Sequence, residues 1–263
     1  MKVKTLCWLG VLSAIAAPLA TVAASPPLSR PSVPAMELAL EFPPGPNRGS
    51  PESTAGGGTR GGPDDFRTAK TTCSQSASRL TALLPVGYDA LKTASPNPTF
   101  FLYVPKSEAK TAEFTVVDSR GGDVYVDTFA IPEDSGIVQI DLPETVSLEV
   151  GQTYIWQFSM LCDPSRRALD ESVRGSIERV ELDSERQTQI EAETDPLERA
   201  ELYAEGQIWP ETVAIALELR DTNPEVWEQL MESVELADIA SEPLASCCGT
   251  ETRETVSSED NES

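Results

Sequence analysis

The chain has 263 residues, a formal net charge of −23 at pH 7 and no histidine. The excess of Asp and Glu argues against binding to nucleic acid, whose phosphates demand Lys and Arg, and against docking on anionic lipid. The absence of histidine excludes Ser-His-Asp and Cys-His nucleophile systems, zinc hydrolysis through paired histidines and histidine ligation of haem.

The N-terminus has the three parts of a secretory signal peptide, which we place at residues 1–24. Lys2 and Lys4 form the positive region, and residues 6–17 are an almost unbroken apolar run. That run is too short for a membrane-spanning helix of roughly 20 residues. Small side chains at 22–24 predict cleavage before Ser25, and a retained membrane anchor is the alternative.

These features predict an exported protein, periplasmic or extracellular. No later stretch is apolar for long enough to cross a membrane, so we do not expect an integral membrane protein after signal cleavage. Because the acids are spread along the chain, we interpret them as a solubilising surface, with binding of a cation or cationic partner as the alternative. Calcium would suit this charge, but the regular Asp-x-Asp-x-Asp-Gly loop is absent, and no cofactor is expected.

Four cysteines remain after signal cleavage: Cys73, Cys162, Cys247 and Cys248. An even number of cysteines in an exported chain predicts disulfides. Adjacent cysteines bridge each other only with strain, so Cys73–Cys162 is the natural pair. Four free thiols are the alternative, and the role of Cys247 and Cys248, which could bridge to another chain, stays open.

The Pro, Gly and Ser content of residues 25–72 predicts a flexible arm, because few apolar side chains are available there to offset the entropy of folding. Strand patterns follow in residues 73–182. Residues 100–104 are apolar at every position, as expected of a central strand, and residues 119–123 predict a hairpin turn between two strands. The apolar residues of 148–162 alternate, which places Trp156 and Cys162 on one face.

Six or so short strands separated by turn residues predict an antiparallel β-sandwich. The spacing between Leu148 and Tyr154 is similar to the tyrosine corner of immunoglobulin-like and fibronectin-like sandwiches. After Leu182 the apolar period becomes helical, with Asp195-Pro196 and Asn223-Pro224 as helix starts. We therefore predict an α+β fold, a sandwich over 73–182 and a small helical subdomain over 183–240, followed by an acidic disordered tail over 241–263.

Two local motifs match part of a known chemical motif and lack the rest of it. Ser107-Glu108-Ala109-Lys110 matches the Ser-x-x-Lys of serine acyltransferases, but no companion Lys-Thr-Gly occurs. The glycine-rich stretch at 57–62 could hold an anion on backbone N–H groups, and the residues concerned are Thr59, Arg60, Gly61 and Gly62. It lacks the preceding strand and following Lys-Ser of a P-loop, so a flexible segment is the alternative. We assign no catalytic, cofactor-binding or metal-binding residue.

Several motifs together resemble the cyanobacterial domain of unknown function 928 family. The similarity runs from about Gly56 to Val234, and its motifs are Gly57–Gly62, Cys73, Leu80–Pro85, Pro98–Pro105, Leu148–Gly151 with Tyr154 and Trp156, Leu161–Pro164, Glu198-Arg199, Leu202–Ala204 and Gly206 with Ile208-Trp209. The resemblance implies an exported cyanobacterial protein from a family with no assigned activity.

The sequence favours a non-enzymatic binding or structural protein of the cell envelope or exterior, with an envelope protein or glycan as its partner. The basis is the predicted sandwich, a fold that hosts many binding functions. The alternative is a carboxylate-dependent hydrolase acting on envelope polysaccharide. A cleft holding two carboxylates about 5–10 Å apart, one of them with a raised pKa, would favour that alternative.

Overall fold

Eight β-strands precede four α-helices in the computed structural model of the chain, which describes residues 39–46, 73–74, 78–163 and 165–247. The strands are β1 Thr81–Ala82, β2 Leu91–Thr93, β3 Thr99–Val104, β4 Thr111–Val117, β5 Asp123–Ala130, β6 Gly136–Asp141, β7 Thr153–Met160 and β8 Glu171–Arg179. The helices are α1 Ser184–Ala192, α2 Pro196–Glu205, α3 Trp209–Leu219 and α4 Pro224–Ser233. The predicted succession of strands and then helices is confirmed.

The strands form two sheets. The first has three strands in the order β1-β3-β6, and the second has five in the order β2-β8-β7-β4-β5. All neighbouring strands are antiparallel except β2 and β8, which run parallel. The end of β8, which leads into α1, therefore lies beside the end of β2.

Strand β3 is buried on both faces, as its continuous apolar sequence predicts. Phe100 and Leu102 belong to the core between the two sheets, whereas Phe101 and Tyr103 belong to a second core beneath the helices. Because successive side chains of a strand point to opposite faces, one strand serves both cores. The three-stranded sheet thus lies between the five-stranded sheet and the helices.

The core between the sheets is built around aromatic rings. The ring centroids of Phe100 lie 5.0 Å from Phe114 and 5.4 Å from Trp156, whose side chain is buried. Gly175 of β8 pairs directly with Trp156, and a Cβ atom there would lie 2.8 Å from the indole ring. Because glycine has no Cβ atom, the indole ring can pack directly against the backbone of residue 175.

Two facing sheets with a shared core are compatible with the predicted sandwich. The Tyr154 hydroxyl accepts a hydrogen bond from the backbone N–H of Glu149 at 2.9 Å, which is the contact expected of a tyrosine corner. The β4–β5 hairpin also forms where predicted, with Gly121 at a φ of 83°. An immunoglobulin-like or fibronectin-like fold stays a prediction.

The helices begin largely where the sequence predicts. Helix α2 begins at Pro196, and the Asp195 carboxylate accepts hydrogen bonds from the backbone N–H groups of the next turn. Helix α4 begins at Pro224, although Asn223 makes no capping hydrogen bond with its side chain. Trp209 is the first residue of α3, and its indole donates to the carbonyl of Leu83 at 2.7 Å, which anchors the helix to the strands.

The segment 39–46, which the composition predicts to be part of a flexible arm, packs against the helical core instead. Leu40 and Phe42 are buried, and the ring centroid of Phe42 lies 4.8 Å from that of Trp209. The Tyr88 hydroxyl donates to the carbonyl of Pro43 at 2.7 Å. Two apolar side chains separated by one residue bury themselves here, and a composition average over the whole arm hides them.

The beginning of the predicted tail likewise lies beside a sheet. The backbone N–H of Ile137 in β6 donates to Pro243, and Ala245 donates back to Ile137. Gly136 permits this approach, because a Cβ atom there would lie 2.7 Å from that of Ala245. The predicted signal peptide at 1–24, most of the arm and the remainder of the tail lie outside the described residues.

Candidate functional site

A cleft of about 400 Å³ opens where the end of β8 meets helices α1 and α2. Its apolar wall consists of Ala94, Val150, Val180, Leu182 and Ile190, and its polar wall of Arg179, Glu181, Gln187, Glu191 and Tyr203. This volume lies at the lower end of the range of roughly 300–1,000 Å³ that is usual for small-molecule sites. We call it the Arg179 cleft.

Local structure explains how the cleft forms. Strand β8 ends at Arg179, and the Asp183 carboxylate caps α1 by accepting from the backbone N–H of Arg186 at 2.9 Å. Arg186 in turn donates to the carbonyl of Leu202 at 2.7 Å, which joins α1 to α2. Only Ile190 of α1 is buried, so this helix packs through a small apolar contact. An open groove is left between the helix and the sheet.

Arg179 is the cation of the cleft. Its Nη1 donates to the carbonyl of Leu148 at 2.6 Å, and its backbone carbonyl accepts from Gly151 at 2.7 Å. Its Nε is buried and has no hydrogen-bond partner in the part of the chain that the structure describes. Within the same part, no carboxylate forms an ion pair with this guanidinium. The cleft therefore contains a positive charge that the described residues leave unneutralised.

The other charged groups of the cleft are carboxylates. Glu181 follows the end of β8 and Glu191 lies on the last turn of α1, and both side chains are exposed. Tyr203 of α2 is half-buried, and its burial, assisted by the negative charge of Glu211, raises the pKa of its hydroxyl. The cleft thus places one guanidinium, two carboxylates, an amide and a phenol around a partly apolar groove.

A buried carboxyl, Glu211, lies behind this wall in the first turn of α3. Its Oε1 accepts hydrogen bonds from the hydroxyl of Thr93 at 2.8 Å, from Ala94 N–H at 2.8 Å and from Ser95 N–H at 2.9 Å. Its Oε2 is buried and has no partner among the residues described. Burial raises the pKa of this carboxyl, although the hydrogen bonds from Thr93, Ser95 and Ala94 act in the opposite direction.

Glu211 supports the cleft from behind. Ala94, which donates to it, and Tyr203, whose pKa responds to its charge, both line the cleft. The carboxyl itself is not among the lining residues, and its unpaired oxygen is sealed from solvent. We therefore interpret Glu211 as a clamp that joins the segment after β2 to α3.

The structure joins Cys73 to Cys162 in a disulfide, the pair that the sequence predicts. Glu171 lies beside it and accepts from the N–H and the hydroxyl of Ser74 at 2.9 and 2.7 Å. The two sulfurs and the Glu171 carboxylate are close enough together to suit a metal ion, but sulfurs joined in a disulfide are not thiolate ligands. Cys247 is also disulfide-bonded, and Cys248 lies outside the described residues.

The remaining motifs do not converge on the Arg179 cleft. Ser107 lies in the connection between β3 and β4, and its hydroxyl oxygen is buried without a hydrogen-bond partner in the described part of the chain. Lys110 is exposed and makes no hydrogen bond to it, so a serine nucleophile activated by lysine does not form there. Residues Thr59, Arg60, Gly61 and Gly62 lie outside the described residues.

Neither Arg179 nor Glu211 is a residue that the sequence singles out. An arginine at the end of a strand carries no local signature, and an acid in the first turn of a helix is ordinary helix chemistry. The position of Glu211 directly after Trp209-Pro210 marks a helix start, which is the one available signal. The environment of Glu211 depends on Thr93, which lies more than a hundred residues away in the sequence.

Comparison with known proteins identifies one family. The family model described as Domain of Unknown Function (DUF928) matches residues 55–244. This range includes the eight strands, the four helices and every residue that lines the cleft. No curated protein and no solved structure is significantly similar to the chain.

Proposed function

This chain belongs to the DUF928 family, whose function is unknown, and we propose that it is an exported, non-enzymatic binding protein of the cell envelope or exterior. We propose further that it comes from a cyanobacterium, that it acts in the periplasm or outside the cell, and that its sandwich is immunoglobulin-like or fibronectin-like. The Arg179 cleft is its binding site for part of an envelope protein or glycan.

Export is supported by the signal-like residues 1–24 and by the Cys73–Cys162 disulfide, because disulfides persist in oxidising compartments and are rare in the cytosol. Within the described residues no helix is long and apolar enough to cross a bilayer. The test is a mass spectrum of the protein recovered from the producing cell. A chain that starts at Ser25 supports export, and an intact Met1 contradicts it.

The observation that carries the binding proposal is the composition of the Arg179 cleft. An unneutralised guanidinium and two exposed carboxylates surround a groove with an apolar wall, which suits recognition of a polar ligand. The carboxyl of Glu211, which accepts from the cleft residue Ala94, is enclosed by its three donors instead of being presented to a ligand. A catalytic acid must reach the substrate, so this arrangement favours binding over catalysis.

The binding proposal is tested by site-specific photo-crosslinking in the producing cell. A photoreactive residue replaces Leu182 on the apolar wall of the cleft, and a matched control replaces Val126, an exposed apolar residue on β5. We expect a defined protein or glycan to be captured from position 182 and not from 126, and to be lost when Arg179→Gln is added. Equal capture from both positions, or none, would contradict a binding site in this cleft.

The alternative function, hydrolysis of envelope polysaccharide, is favoured by one observation: Glu181 and Glu191 both line the cleft. If one serves as the acid and the other as the base or nucleophile, purified protein releases reducing sugar from envelope polysaccharide. Glu181→Gln and Glu191→Gln should then each abolish release. Absence of release from the unmodified protein excludes this alternative for the polysaccharides tested.

A further inference from the structure

The guanidinium of Arg179 has unused capacity to bind an anion. An arginine carries five N–H donors in a planar fork, and a carboxylate matches that fork with two parallel hydrogen bonds. Leu148 takes one donor, through Nη1, and Nε is sealed from solvent, so the donors left for a ligand are the remaining N–H groups of Nη1 and Nη2, which form no hydrogen bond among the described residues. An anionic group entering the cleft would therefore find a cation without a competing ion pair.

The surrounding charges disfavour a ligand that is only an anion. Glu181 and Glu191 line the same cleft, and the whole chain carries a formal charge of −23, so a simple anion is repelled as it approaches. The two carboxylates favour a positive group instead. A ligand with one negative and one positive end satisfies both walls and has no net charge to be repelled.

The remaining surface of the cleft limits the size and polarity of the ligand. Val150 is about half exposed, with 49% of its surface accessible, and Leu182 and Ile190 continue the apolar wall. A volume of about 400 Å³ holds a short aliphatic side chain together with its polar ends. It is too small for an extended polysaccharide to be enclosed.

We infer that the Arg179 cleft binds a zwitterionic ligand of the size of an amino acid or short peptide, with its carboxylate on Arg179 and its ammonium group between Glu181 and Glu191. This inference rests on the proposed binding function and names its ligand class. The Gln187 amide donates to Glu191 at 2.8 Å and holds that carboxylate in place, Tyr203 supplies a further hydrogen bond to the ligand, and Val150 contacts the aliphatic part.

The test is isothermal titration of the mature protein with alanyl-alanine and three related probes. The N-acetylated dipeptide lacks the ammonium group, the dipeptide amide lacks the carboxylate, and maltose is a neutral sugar. We expect alanyl-alanine to bind and each blocked form to bind about ten- to a hundredfold more weakly, since each loses a charge-assisted contact. Equal binding of the free and blocked dipeptides would overturn the inference.

Variants test the assignment of each end. Arg179→Gln should weaken alanyl-alanine about ten- to a hundredfold and make the free dipeptide and its amide indistinguishable. Arg174→Gln is the matched control, because Arg174 is exposed on the same strand and does not line the cleft. If Arg179→Gln fails to fold, Glu191→Gln remains informative, since it should reduce the preference for the free dipeptide over its N-acetylated form. An unchanged preference contradicts the assigned orientation.

The outcomes separate this inference from the function on which it rests. Binding of maltose without binding of alanyl-alanine overturns the zwitterionic ligand, while capture from position 182 in the cell would still support a binding protein. Failure of all four probes overturns the ligand class as well. Failure of the crosslinking experiment instead contradicts the binding function itself.

Discussion

The clamp formed by Glu211 allows a quantitative prediction. In Glu211→Ala, the Thr93 hydroxyl and the Ala94 N–H lose their acceptor, whereas Ser95 N–H keeps the Thr93 oxygen at 3.1 Å. A buried donor left without a partner costs roughly 1–3 kcal/mol, so we expect unfolding to become easier by about 2–5 kcal/mol. For a chain of this size, that lowers the melting temperature by roughly 5–15 °C.

The conservative variant separates the hydrogen bonds from the charge. Glu211→Gln keeps an oxygen for the three donors and removes the ionisable group. The folded-state pKa of Glu211 is raised above its ordinary value of 4.5, so its proton stabilises the fold at low pH. That contribution is lost as the pH rises through the raised pKa. The stability of the glutamine variant relative to the native chain should therefore increase with pH above about 4.5.

The assay is chemical unfolding of the native chain and both variants, followed by tryptophan fluorescence over a series of pH values. Glu218→Gln on the same helix is the control, because its side chain is exposed and makes none of these contacts. A loss below about 1 kcal/mol in Glu211→Ala would refute the clamp. A pH-independent difference between Glu211→Gln and the native chain would refute the raised pKa.

Three further changes test the fold. Replacing Cys73 and Cys162 with serine should destabilise the chain by roughly 4–5 kcal/mol, because the bridge spans 89 residues, and equal unfolding curves would contradict this. Gly175→Ala should lower the free energy of unfolding by about 1–3 kcal/mol, since the new Cβ atom would lie 2.8 Å from the Trp156 ring. A melting temperature equal to the native one would contradict this, because it would mean that the ring can move away at no cost. Trp209→Phe should lower the free energy of unfolding by about 2–4 kcal/mol, because the carbonyl of Leu83 loses its indole donor. An unchanged melting temperature would contradict the anchoring role of Trp209.

Much of the strand and helix pattern could be predicted because it follows from the spacing of apolar residues that are close together in the sequence. A run that is apolar at every position is incompatible with one solvated face, and residues 100–104 are accordingly buried between two layers. Strand β7 instead alternates apolar and polar residues. This alternation places Tyr154, Trp156 and Phe158 on one face of the strand, and all three belong to the same core. Helix α2 was predictable from Asp195-Pro196, because capping is a local interaction.

Other elements could not be predicted because their sequences carry no local signal. Helix α1 is polar around most of its circumference and buries only Ile190, so its sequence shows almost no helical spacing of apolar residues. The parallel pairing of β2 with β8 joins a strand of three residues to one far along the chain. Leu40 and Phe42 are ordinary apolar residues until Trp209 and Tyr88 are placed beside them.

By itself, the sequence determined the order of strands and helices and the exclusion of histidine chemistry, because these depend on composition or on neighbours along the chain. It favoured the Cys73–Cys162 pair only because the other two cysteines are adjacent, and the structure joins that pair. Only the tertiary structure decided that three layers form, that Arg179 is left unneutralised in a cleft and that Glu211 is buried behind it. The charge state and the use of a side chain depend on what surrounds it in space. Here those surroundings come from segments brought together by the packing of the helices on the sheet.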